Sequence, residues 1–224
     1  MGSARRRDWM LGSSQTIVMS RDNIASLIED CRARVPSRQA EILDYLHRLT
    51  ESTANSTPRQ VAHNLWLLIF RPDAIHTLSR GGWKFPLDSL ALGLLQKFIS
   101  RGWIGMGDTV AIALVSKDGE KHVQTLDVMQ ETMLAISREF PRTESSPTIE
   151  LKLIQMILTA GSTPNRAIGG GQLTIALNKL GEVARLSQEI VNQHAALAAI
   201  TQIIEERMED VGLNRSVNCI DQGK

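Results

Sequence analysis

Cysteine, aromatic residues and long apolar runs are all scarce in this chain, and each shortage narrows what it can be. Cys31 and Cys219 are the two cysteines among 224 residues and lie far apart. The disulfide framework of a small secreted domain is therefore excluded, and free thiols in a reducing compartment are expected. Aromatics make up 4% of the chain, so the core must lean on Leu, Ile, Val, Ala and Met. That composition favours packed helices over a β-sandwich. The densest apolar run, Leu65–Phe70, falls far short of the roughly 20 residues needed to cross a bilayer. No transmembrane segment is expected. Arg5, Arg6 and Arg7 are followed by only Trp9, Met10 and Leu11 before Gly12, Ser13 and Ser14, too short an apolar stretch for a signal peptide. An intracellular location, cytoplasmic or nuclear, follows as the expectation.

Signatures of catalysis are missing as well. The five histidines, His47, His63, His76, His122 and His194, are scattered, and neither cysteine has a close partner, so no metal site is predicted. Gly169-Gly170-Gly171 lacks the Gly-Lys-Ser/Thr of a phosphate-binding loop. No Gly-x-Ser-x-Gly nucleophile elbow occurs. The sequence therefore predicts no catalytic residue and no cofactor. An active site assembled from distant residues stays open as an alternative, because such sites are spatial rather than sequential.

What is present begins with an uneven charge. The net charge of +1 divides into 14 Lys+Arg against 9 Asp+Glu over residues 1–101, a balance of +5, and 11 against 15 over 102–224, a balance of −4. Residues 1–19, with Arg5, Arg6 and Arg7 between glycines and serines, read as a flexible basic arm. Arg80, Trp83 and Lys84 set cations and an aromatic ring beside Gly81-Gly82, a composition suited to single-stranded nucleic acid. A loop with a packed tryptophan is the plainer reading of the same residues.

Periodicity predicts a mainly α protein: a helical bundle over 20–160, one β-hairpin at about 109–126, a long helix over 172–211 and a tail over 212–224. Ile24, Leu27 and Ile28 share one face of a first helix, and Ile42, Leu43, Leu46 and Leu49 share one face of a second that Ser37 could cap. Thr57-Pro58-Arg59-Gln60 spells a capping box with proline at the first helical position. Pro86 is expected to open a further helix reaching Ser100. Thr109–Ser116 and Lys121–Leu126 flank an Asp118-Gly119 turn, and Met129, Met133 and Ile136 face inward on the helix that follows. Pro164 and the triple glycine suggest a flexible connection before the last element.

That last element carries the strongest pattern. Val183, Ile190, Leu197, Ile204 and Val211 recur every seven residues, with Leu186 and Ile200 between them, as in a coiled-coil seam. Gln193 and Arg207 interrupt it, and polar residues at such positions help to set register and oligomer number. Ala196, Ile203 and Met208 widen the apolar stripe. A long helix buried by its own bundle would show the same periodicity, so both self-association and a core role are open.

Together these features predict a non-enzymatic structural or assembly protein. It would form homo-oligomers through the heptad helix and hold an anionic partner, RNA, a nucleoprotein or a membrane surface, through its basic segments. An RNA-binding nucleoprotein is the alternative. The layout of the basic arm Arg5-Arg6-Arg7, the helical run from Ser20 to Ser100 and the long helix from Gln172 resembles that of matrix or nucleocapsid-associated proteins of negative-strand RNA viruses. The resemblance implies a virion or replication-complex role with homo-oligomers.

Overall fold

Helix starts in this chain are set by short polar signals, and the clearest acts as its sequence suggests. In the computed structural model, which describes residues 21–53, 55–72, 86–115, 121–140, 146–162 and 166–221 (backbone alone for 21–23, 114–115, 121 and 210–221), Thr57 caps a helix at Pro58–Phe70. Its hydroxyl accepts from the Gln60 amide while the Gln60 side chain accepts from the Thr57 amide. Two donors that a helix start leaves unpaired are thereby satisfied.

The described elements are α1 (Arg21–Arg32), α2 (Ala40–Ser52), α3 (Pro58–Phe70), α4 (Ser89–Ser100), β1 (Thr109–Val115), β2 (Lys121–Asp127), α5 (Val128–Glu139), α6 (Pro147–Gly161), α7 (Gly170–Leu186) and α8 (Ile190–Asp221). Among the described residues the protein is mainly helical, with one antiparallel hairpin and a long C-terminal helix. Two starts differ from expectation. Helix α2 is entered through Gln39, because a turn closed by the Gln39 amide on the Pro36 carbonyl uses up the residues around Ser37. Helix α4 begins after Asp88 rather than at Pro86, since the Asp88 carboxylate accepts from the Leu90 and Ala91 amides.

One apolar cluster runs through α1 to α8. Its largest member, Trp66 on α3, is fully buried and donates its indole N–H to Thr132 Oγ1 on α5 at 2.8 Å. Met129, Met133 and Ile136 lie in the same core, as their spacing predicts. The hairpin leans on this core through Val110, Ile112 and Leu126, with Val110 opposite Leu126 in the ladder. Its other face is exposed, Val123 included.

The expected helix over 172–211 divides in two. Helix α7 ends at Leu186 and α8 starts at Ile190. Asn192 near the start of α8 reaches Pro147 at the start of α6, and Ile203 and Arg207 further along reach Gly161 at the end of α6. So α8 runs parallel to α6 and doubles back along α7. The approach is close because Gly161 has no side chain: a Cβ there would lie 2.9 Å from Ile203 Cδ1 and 3.0 Å from Cγ1. The connection expected to be flexible is held at its described end, since Ala167 and Ile168 are fully buried and Arg207 donates to the Gly161 and Ile168 carbonyls at 3.1 and 2.7 Å.

Gly161→Ala therefore separates two effects of opposite sign. In an exposed helix interior the change stabilises by up to about 1 kcal/mol, whereas here crowding against the buried Ile203 should destabilise by about 1–3 kcal/mol. Urea denaturation measures the difference, and Ile203→Val should make the added methyl less costly than it is beside the native isoleucine.

Candidate assembly surface

The corner between α7 and α8 decides which face of the heptad stripe turns outward. The Ser187 amide makes the closing bond of α7 to the Val183 carbonyl at 3.0 Å, and its ψ of 138° then takes the chain out of the helix. Ser187 Oγ donates to Glu150 Oε2 on α6 at 2.6 Å and accepts from the Glu189 amide at 3.2 Å. Asn192 donates to the same Glu150 oxygen at 3.0 Å, and Gln193 donates to the Ser187 carbonyl at 2.8 Å. Ser187 and Asn192 are both buried. The local signal is weak: Glu189 precedes α8, whose first turn holds no acid. The unbroken seven-residue phase concealed it.

Beyond the corner, α8 has an inner and an outer face. Asn192, Ala196, Ala199 and Ile203 are buried inward. Ile190, Leu197, Ile204 and Met208 fall within roughly 40° of one another at 100° per residue, and are 65%, 52%, 42% and 69% exposed. Leu186, at the corner, is exposed as well. Of the remaining seam residues, Val183 is buried in the chain's own core, Ile200 is half-buried against it, and the Val211 side chain lies outside the described residues. The polar interruptions also serve the monomer rather than a seam. Gln193 binds the Ser187 carbonyl and Arg207 binds the Gly161 and Ile168 carbonyls, because the turn at Ser187 lays α8 along α6 and brings those acceptors within reach.

Charge is distributed to match. From Ile190 to Ile204 no Asp, Glu, Lys or Arg occurs, although much of that stretch is exposed. About a quarter of the residues in an ordinary soluble domain are charged, and charged residues are depleted at the centre of interfaces. The acids resume at Glu205, Glu206 and Glu209. The other residues singled out by sequence, Arg5, Arg6, Arg7, Arg80, Trp83 and Lys84, lie outside the described residues. Among the described ones, Arg32, Arg34, Arg48, Arg59 and Arg71 are each in an ion pair with an acid.

A second polar cluster, unsuspected from sequence, fastens the entry to the hairpin. Asp108 accepts from the Gly105 amide at 2.9 Å, is paired with Arg59 of α3, and lies 3.7 Å from His63 Nε2. That last distance is too long for a hydrogen bond, and His63 Nε2 is buried with no hydrogen-bond partner. Burial pushes the His63 imidazole below its ordinary value, with the Asp108 carboxylate opposing the shift and Arg59 adding to it. The geometry ties a loop to a helix. Among the described residues no group of three or more His, Cys, Asp or Glu is placed to hold a metal ion, and no helix is long and apolar enough to cross a membrane.

The sign of the His63 effect is testable. With the folded value depressed, stability is complete above the ordinary value of 6.5 and falls as pH drops through it, because the unfolded chain takes up a proton that the folded one resists. Denaturation at about pH 7.5 and about pH 5.5 should show a larger loss for the native chain than for His63→Gln. Equal losses in the two proteins would assign the dependence to other groups.

Comparison of the sequence with protein-family models and with curated proteins finds no match in either.

Proposed function

We propose that this chain is an assembly protein rather than an enzyme, one that self-associates through the outer face of α8 and holds an anionic partner through its basic segments. One observation carries the reading: Ile190, Leu197, Ile204 and Met208 stand exposed in line on a helix stretch that has no charged residue before Glu205. Leu186 at the corner and Val191 are exposed as well. Exposed apolar side chains grouped on one face commonly mark interaction sites.

The anionic-partner half rests on where positive charge is left over. Of the +5 carried by residues 1–101, +3 belongs to 1–20 and 73–85, where Arg5, Arg6, Arg7, Arg80 and Lys84 face only Asp8 and Asp73 in count. Self-association would gather several such segments in one particle, turning weak contacts into avidity. A matrix or nucleocapsid-associated role in a virion or replication complex fits that combination, and an RNA-binding nucleoprotein is the form it takes if RNA is the partner.

Sedimentation of the full chain over a range of concentrations tests the first half. Leu197→Glu combined with Ile204→Glu should weaken association on the order of 100-fold, about 2.7 kcal/mol, with an unchanged helical spectrum. A native chain that is monomeric throughout would overturn the reading. Titration with a single-stranded RNA at two salt concentrations tests the second half. Replacing Arg5, Arg6 and Arg7 with Ser should lower affinity and flatten the salt dependence by up to about one slope unit for each phosphate that the arm neutralises.

A further inference from the structure

Resting on that reading of α8, the geometry points to a specific arrangement: two copies of this chain pair their α8 helices antiparallel about a two-fold axis at Leu197. On α8 the exposed stripe is symmetric about that position: Ile190 and Ile204 lie seven residues to either side, and Met208 continues it toward the C-terminus. In an antiparallel pair centred on Leu197, each Ile190 meets the other copy's Ile204, and each Met208 approaches the corner where the other copy's Leu186 stands. A two-fold interface requires this kind of self-complementarity, because the same patch serves both sides.

Charge selects the direction. A parallel pair would set the Glu205 and Glu209 of both copies side by side. The antiparallel pair instead sets these acids of the two copies, exposed on each, at opposite ends of the contact. Like charges held together oppose association. The charge-free stretch from Ile190 to Ile204 is about 21 Å long at 1.5 Å per residue, and it forms the centre, with the charged residues at the two ends.

Cysteine cross-linking of the full chain tests the arrangement. In a Cys219→Ser background the remaining Cys31 is buried, and burial pushes its thiol up to about 12, so it does not compete for oxidation. Leu197→Cys should give a disulfide-linked dimer under mild oxidation. Ile204→Cys alone should give none, because its two copies would stand about 21 Å apart, far beyond the roughly 4 Å between Cβ atoms of a disulfide. Ile190→Cys protein mixed with Ile204→Cys protein should give the heterodimer. Efficient linking of Ile204→Cys to itself would overturn the antiparallel register while leaving self-association intact. A sedimenting dimer that forms none of these links would place the contact on another surface and overturn the arrangement. A monomer by sedimentation, unlinked in every variant, would overturn both the arrangement and the reading beneath it.

Discussion

The C-terminal half of the fold depends on the contact between Ile203 and the bare Cα of Gly161. Only where α6 has no side chain can α8 come close enough to bury Ile203 completely, and Ala196 and Ala199 keep the same approach open further up the helix. Small residues at facing positions shorten the distance between helix axes, and the interior then closes at the density that protein cores require. A helix running straight on from α7 could not lie along α6. The chain has to turn at Ser187, and Glu150 on α6 supplies the acceptor that pairs both the Ser187 hydroxyl and the Asn192 amide at that turn.

The doubling back has a consequence for the surface. With Asn192, Ala196, Ala199 and Ile203 turned inward, Ile190, Leu197, Ile204 and Met208 are left on the side of α8 that faces away from α6 and α7. Their exposure follows from the packing of the opposite face. Arg207 belongs to the same device, since its guanidinium bonds to the Gly161 and Ile168 carbonyls and so fixes the α6–α7 connection against α8. A residue that breaks the apolar rhythm of a seam thus acts as a tie in the monomer.

Much of the fold was legible because it depends on neighbours in sequence. The capping box at Thr57, the hairpin strands and the inward faces of α1, α2, α3 and α5 all follow from periods and caps within a few residues. The seam was half legible. Seven-residue recurrence correctly marks Ile190, Leu197 and Ile204 as one stripe, yet the same recurrence runs through Val183 across the corner at Ser187, where the chain reverses. Glu150, 42 residues before Asn192, carries no mark in its own sequence that it will hold that corner. The link between Asp108 and Arg59, 49 residues apart, is likewise visible only in space.

The sequence by itself determined that this chain would be mainly helical, that it would carry a hairpin, and that an apolar stripe would lie near its C-terminus. Those properties are local: hydrogen-bond caps, side-chain periods and composition act over a turn or two. The tertiary structure alone decided which side of the stripe is buried. That choice turns on whether a partner helix can approach closely, and the missing side chain at Gly161, far from α8 in sequence and against it in space, is what allows it.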